Sequence, residues 1–132
     1  MTKNFQSESK QVGTYFENLV EEHLKDSKKK ILHKNFKFKS IGVDVDFVVS
    51  DGVVTEYIEV KGGIPGHKKR PGAQRTDSVK KAIANGALIK SFHPDLRFVI
   101  YFSAKPKPGS SSYLMLQNAL DAGYVDDIQY LT

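Results

Sequence analysis

The chain has 132 residues and carries 20 Lys and Arg against 15 Asp and Glu, a formal net charge of +5. This length predicts one domain spanning residues 1–132, and the positive charge favours a polyanionic partner, nucleic acid first. Because the chain contains no cysteine, disulfide scaffolds, thiol nucleophiles and Cys-ligated zinc are excluded. No apolar run reaches the ~18 to 20 residues of a membrane span, and the first residues lack the apolar core of a signal peptide. We therefore expect a cytoplasmic protein with no membrane partner.

The first half of the chain predicts a helix followed by three strands. Apolar residues recur at helical spacing over residues 12–25, with Glu17 at the edge of the apolar arc. Residues 31–39 alternate as a half-exposed strand does, and residues 44–49 and 53–61 are rich in β-branched and aromatic side chains. An Asp-Gly pair between the last two segments is a strong hairpin signal, so these two strands are expected to be adjacent and antiparallel.

The second half adds a helix, a strand and a helix. A glycine-rich, basic segment at residues 62–72 precedes a helix that begins near Thr76. Residues 97–103 are apolar enough for a strand buried on both faces, and residues 111–122 form a last helix. The order α-β-β-β-α-β, with a further helix, predicts an α/β fold in which helices flank a mixed central sheet.

Charged side chains are concentrated on the predicted hairpin. Side chains alternate along a strand, so Asp44 and Asp46 share one face, and Glu59 and Lys61 share one face of the next strand. The hairpin is therefore expected to bury its apolar residues on one side and to gather carboxylates and an ammonium on the other. Such a concentration of like charge is costly unless a cation or solvent relieves it, and carboxylates on adjacent strands suit Mg²⁺. Lys61 would then orient a water nucleophile or stabilise negative charge on a phosphate.

The segment after the hairpin fits contact with a nucleic-acid backbone. Gly62 and Gly63 have no side chains and would let a phosphate approach closely. The basic cluster Lys68, Lys69 and Arg70 follows within the same loop, where it could bind DNA phosphates.

Asp46 together with Glu59-Val60-Lys61 resembles the core motif of the PD-(D/E)xK nuclease superfamily. The resemblance covers about residues 12–103 and implies a restriction-endonuclease-like fold that hydrolyses phosphodiester bonds with Mg²⁺, for which Mn²⁺ can substitute. It also implies that Asp46, Glu59 and the Val60 carbonyl bind the metal, that Lys61 is the catalytic lysine, and that Glu17 is an accessory acid.

Within this superfamily, Gly13-Thr14-Tyr15-Phe16-Glu17 looks like the first-helix pattern of archaeal-type Holliday-junction resolvases and related small endonucleases. Gln74, followed by Arg75 at the entrance of the second helix, matches a position where related nucleases carry a functional Gln.

The motif leaves the choice of the first metal ligand open. Val45 replaces the signature Pro, and Asp44 is a rival ligand. A two-residue turn would place Asp44 opposite Glu59, whereas a four-residue loop would place Asp46 there. Asp46 is the preferred ligand because it immediately precedes the apolar run.

The sequence thus predicts a Mg²⁺-dependent DNA endonuclease, with a branched or junction substrate cut by a homodimer. The apolar stretch Tyr113, Leu114, Met115, Leu116 contains more apolar groups than one helix face needs, which favours dimerisation. A restriction-type endonuclease with a short duplex site is one alternative. The other is a nucleic-acid-binding module whose acidic cluster has no catalytic activity.

Overall fold

The computed structural model describes residues 5–62 and 72–131, with the side chains of the first helix described from Tyr15 onward. Its elements in chain order are α1 Phe5–Asp26, β1 Lys30–Phe38, β2 Val43–Ser50, β3 Thr55–Lys61, a 3₁₀ turn Gly72–Gln74, α2 Thr76–Phe92, β4 Arg97–Phe102, α3 Ser111–Ala122 and β5 Asp127–Tyr130. Within these residues no helix is long and apolar enough to cross a membrane.

The five strands form one mixed sheet in the order β1-β2-β3-β4-β5. β1, β2 and β3 are antiparallel, whereas β4 pairs in parallel with both β3 and β5. The predicted α/β class with a mixed sheet between helices is therefore confirmed. β5 was not predicted, and it pairs with β4 at the edge of the sheet.

Helices cover both faces of the sheet. α1 packs its apolar stripe on one face, and α2 and α3 pack on the other. The α1 face contains Phe16, Val20, Leu24, Phe47, Val49, Ile58, Val60, Val99 and Tyr101. The α2 and α3 face contains Val43, Val45, Val48, Ala73, Val79, Ala82, Ile89, Phe98, Ile100, Phe102, Leu116, Ala119 and Val125. A sheet buried on both faces explains why β4 is buried and carries no charge from Phe98 to Phe102.

β2 changes the face to which it contributes apolar side chains. Val45 belongs to the α2 and α3 face, whereas Phe47, two residues later, belongs to the α1 face. The expectation that the hairpin buries its apolar residues on one side is therefore wrong. β3 pairs with β2 only as far as Phe47 opposite Ile58, so the earlier part of β2 continues with β1 alone. Two-stranded ribbons twist more strongly than wider sheets, and the change of face falls where the pairing of β2 with β3 ends.

The β2–β3 connection is a four-residue loop at residues 51–54. Asp51 Oδ1 accepts hydrogen bonds of 2.8 Å from the N–H groups of both Val53 and Val54. Ser50 is paired with Thr55, which fixes the register of the hairpin. The last paired residues are Phe47 and Ile58, and the same register extended by one residue sets Asp46 opposite Glu59. The chain therefore adopts the four-residue loop, not the two-residue turn.

Candidate active site

Asp46 lies where β2 separates from β3. Its Oδ2 accepts a hydrogen bond of 2.7 Å from the backbone N–H of Val60. The backbone pairing of β2 with β3 ends at Phe47, the residue that follows Asp46. The Asp46 carboxylate therefore supplies the acceptor that the Val60 N–H would otherwise lack. The side chain of Asp46 therefore closes the gap between the strands and is held in one position by the fold.

Glu59 is a buried carboxylate on the neighbouring strand, with only 6% of its surface exposed. Its Oε2 accepts a hydrogen bond of 2.9 Å from the Asn85 side chain on α2, and its Oε1 lies 3.8 Å from Lys61 Nζ. Burial and the nearby charge of Asp46 raise the pKa of Glu59 to about 8, although Lys61 and Asn85 partly offset this shift. Near neutral pH the fold thus holds Glu59 largely protonated.

Glu17 extends the acidic cluster from α1. It is half-buried, and burial followed by the charge and hydrogen bond of Asp46 raises its pKa, while Lys61 lowers it. Burial also raises the pKa of Asp46, although the Val60 N–H opposes the shift. Asp46 thus interacts with both Glu17 and Glu59, and Lys61 interacts with all three carboxylates. One ammonium does not neutralise three acids, so the cluster favours uptake of protons or of a cation.

The donor set of this cluster fits a hard divalent cation. Asp46 and Glu59 offer carboxylate oxygens from adjacent strands. The Val60 carbonyl belongs to the residue that follows Glu59 and whose N–H donates to Asp46. Mg²⁺ and Mn²⁺ prefer such oxygen ligands. In the described parts of the chain, no three His, Cys, Asp or Glu side chains are already arranged to hold a metal ion. A two-carboxylate site completed by a carbonyl and by substrate or water oxygens needs no third acidic ligand.

Asp44, the rival ligand, lies outside this cluster. It is exposed on the β1–β2 ribbon, where its backbone partner is Lys37. Its charge raises the pKa of Asp46 less than burial does. Strand alternation alone would make the two carboxylates equivalent, but Asp44 is exposed and Asp46 is half-buried with a hydrogen bond to β3, so the geometry favours Asp46 over Asp44.

Gly62 follows Lys61 at a tightly packed point. A Cβ atom there would overlap the Phe16 ring and lie 2.6 Å from Cβ of Ser103. Glycine is therefore required by the packing of α1 against the ends of β3 and β4. Close approach of a phosphate, the reason given for Gly62 from the sequence, remains a prediction.

The other predicted DNA contacts fall into two groups. Gln74 is half-buried in the 3₁₀ turn, and Arg75 is exposed immediately before α2. Neither makes a hydrogen bond or ion pair with Asp46, Glu59 or Lys61. Gly63, Lys68, Lys69 and Arg70 lie outside the described residues.

Asn85 is the residue of the cluster that sequence reasoning missed. Asn is a poor helix former, yet it occupies the middle of α2, three residues after buried Ala82 and four before buried Ile89. A polar amide on the buried stripe of a helix needs a hydrogen-bond partner inside the protein. This spacing was the available signal that α2 contributes to the site.

Comparison with known proteins adds no relative to this description. Family models, curated proteins and solved structures were each compared with the chain, and none of them matches it.

Proposed function

We propose that this chain is a Mg²⁺-dependent endonuclease of the PD-(D/E)xK superfamily, with a restriction-endonuclease-like fold, that hydrolyses phosphodiester bonds of DNA. Among DNA structures we favour branched ones, because the α1 segment that carries Glu17 is similar to that of junction-resolving enzymes. A net charge of +5 on a small domain agrees with a DNA partner.

The observation that carries the proposal is the joint placement of Asp46, Glu59 and Lys61. Two carboxylates meet across adjacent strands, and a lysine ammonium lies 3.8 Å from one of them. Each carboxylate is held by a fixed donor, the Val60 N–H for Asp46 and the Asn85 amide for Glu59. An ion pair between Glu59 and Lys61 with a purely structural role would not need Asp46 beside it, because the charge of Asp46 raises the pKa of Glu59.

Each residue has a distinct part in the proposed hydrolysis. Asp46, Glu59 and the Val60 carbonyl would hold Mg²⁺, which when bound lowers the pKa of water and polarises a phosphate oxygen. Lys61 places a positive charge where negative charge develops on the attacked phosphate. Glu17, whose pKa is raised beside Asp46, can hold a proton at the edge of the site.

The test is cleavage of end-labelled duplex, four-way junction, flap and single-stranded DNA with and without Mg²⁺ or Mn²⁺. Wild type should cleave at least one of these only when a divalent cation is present, and D46N and E59Q should each abolish cleavage. D121N, which makes the same substitution at an exposed residue of α3, should cleave as wild type does. A folded wild type that cleaves none of these DNAs would contradict the proposal in favour of a binding module.

A further inference from the structure

A polar pocket of about 200 Å³ lies at the N-terminus of α3. We call it the α3 pocket, and it is lined by Gln74, Thr76, Lys107, Ser110, Ser111 and Ser112. Pockets that hold drug-sized molecules enclose ~300 to 1,000 Å³, so this one suits a smaller group.

Ser112 is the feature of the α3 pocket that points to a ligand. The residue is 97% buried, at 3% exposure, and within the part of the chain that the structure describes its hydroxyl forms no hydrogen bond. No fully enclosed side-chain N or O atom among the described residues lacks a partner. The Ser112 hydroxyl is therefore not sealed in the core, and Ser112 is one of the residues that line the α3 pocket. A hydroxyl that lacks a protein partner on a side chain this deeply placed is open to a partner from outside.

The backbone of α3 presents further donors at the same place. The Ser110 side chain caps the helix by accepting a hydrogen bond of 3.2 Å from the Tyr113 N–H. The N–H groups of Ser111 and Ser112, in the first turn, have no acceptor among the described residues. Two backbone donors and one hydroxyl thus belong to the first turn, at the positive end of a 12-residue helix.

The charge of the α3 pocket selects an anion. Lys107 is the only ionisable side chain among the described residues that line it, and that lining contains no Asp or Glu. Hydrogen-bond donors beside one lysine match a tetrahedral phosphate, whose oxygens accept from several directions.

The α3 pocket opens at the edge of the sheet where the acidic cluster lies. β3 and β4 are parallel, so both end at this edge, and the N–H of Ser103 donates to the Lys61 carbonyl at 3.1 Å. The N–H of Ala73 donates to the Ala104 carbonyl at 3.1 Å, which fixes the turn carrying Gln74 beside the end of β4. The pocket thus flanks the candidate active site on its β4 side.

We propose that the α3 pocket binds a phosphate group of the nucleic-acid substrate and so positions the strand whose neighbouring phosphodiester meets the acidic cluster. This inference rests on the proposed nuclease function for the identity of the substrate. The recognition of phosphate itself rests on the pocket alone.

Inorganic phosphate, without divalent cations, is the first probe. Titration into ¹⁵N-labelled protein should shift the Ser111 and Ser112 amide resonances in a saturable manner. S112A and K107A should each weaken phosphate binding by roughly 3- to 10-fold. K105A removes the same charge two residues away and is the matched control, with an expected change below about 2-fold. Amides that do not shift, or equal losses in K107A and K105A, would overturn the proposal. K107A changes an exposed residue, so the test stands even if S112A fails to fold.

The second arm identifies the source of the phosphate. Binding of labelled duplexes with 5′-phosphate or 5′-hydroxyl ends is measured in Ca²⁺ for wild type, K107A and K105A. Equal weakening of both duplexes in K107A assigns the α3 pocket to an internal phosphodiester, and weakening of the 5′-phosphorylated duplex alone assigns it to a strand end. If K107A weakens neither, the pocket does not bind the substrate, although cleavage that depends on Asp46 would still support the nuclease. If the wild type shows the amide shifts and binds DNA but cleaves none, the proposed nuclease function is refuted. The proposal that the α3 pocket binds phosphate would still stand.

Discussion

Replacing Glu59 by Gln should stabilise the protein in the absence of metal while abolishing its proposed activity. Burial and the charge of Asp46 raise the pKa of Glu59 from 4.5 to about 8 in the folded chain. Folding therefore takes up a proton at Glu59 between these pH values, so the wild type loses stability as pH rises from about 4.5 to about 8. Gln has nearly the same shape, can still accept the Asn85 hydrogen bond and does not titrate.

The magnitude follows from about 1.4 kcal/mol for each unit of pKa shift. E59Q should exceed wild type in free energy of unfolding by on the order of 3 kcal/mol at pH 7, and by about 4 to 5 kcal/mol at pH 8.5. The two proteins should be nearly equal at pH 4. Urea unfolding followed by far-UV circular dichroism at these three pH values measures the difference.

Glu56, on the same strand, provides the matched control. Its carboxylate lies 2.7 Å from Lys29 Nζ and 2.8 Å from Arg97 Nε, and hydrogen bonds from these residues lower its pKa despite its partial burial. Glu56 therefore contributes stability above its unfolded pKa that is lost as pH falls. E56Q should destabilise the protein at pH 7, the opposite sign to E59Q. An E59Q protein that is less stable than wild type at pH 8.5 would refute the reasoning about the acidic cluster.

Three further outcomes are expected. G86A should destabilise the protein by about 1 to 3 kcal/mol in urea unfolding, because the new Cβ would lie 2.5 Å from the Tyr124 carbonyl oxygen. This loss should exceed the gain from the better helix propensity of Ala, and an unchanged or higher stability would contradict the packing. Replacing residues 68–70 together by Ala should remove up to about 3 phosphate contacts and flatten the dependence of log DNA affinity on log salt, whereas an unchanged slope would place the DNA path elsewhere. Light scattering should show a dimer at micromolar concentration that L114D converts to a monomer, since Leu114 is 54% exposed on α3; a wild-type monomer with and without DNA would rule out dimerisation.

Local sequence signals predicted most of the elements that build the sheet. The helix at residues 111–122 has the predicted bounds, and its Gly123 C-cap adopts the left-handed conformation. β5 escaped prediction because it has only four residues, begins with Asp127 and is held by pairing with β4, a contact remote in sequence. Edge strands of this kind are specified by their neighbours rather than by their own composition.

The candidate site shows a similar division. Asp46 and Glu59 could be paired from the motif, but the choice against Asp44 depended on the length of the hairpin loop and on how exposed Asp44 is in the fold. Neither is encoded in the alternation of the strand itself. Asn85 joins the site only because α2 packs across the sheet. It lies 26 residues after Glu59 in the chain, so the motif around Glu59 did not indicate it.

The most direct test of the nuclease account is single-turnover cleavage by K61M in Mg²⁺, with DNA affinity measured on the same protein in Ca²⁺. In the proposed mechanism Lys61 stabilises charge on the phosphate and does not hold the metal, so K61M should bind DNA nearly as tightly as wild type and cleave it slower by on the order of 10²-fold or more. K81M, which removes the same charge from the exposed side of α2, should match wild type in both measurements. Cleavage by K61M at the wild-type rate would contradict the assignment of the acidic cluster as a nuclease active site.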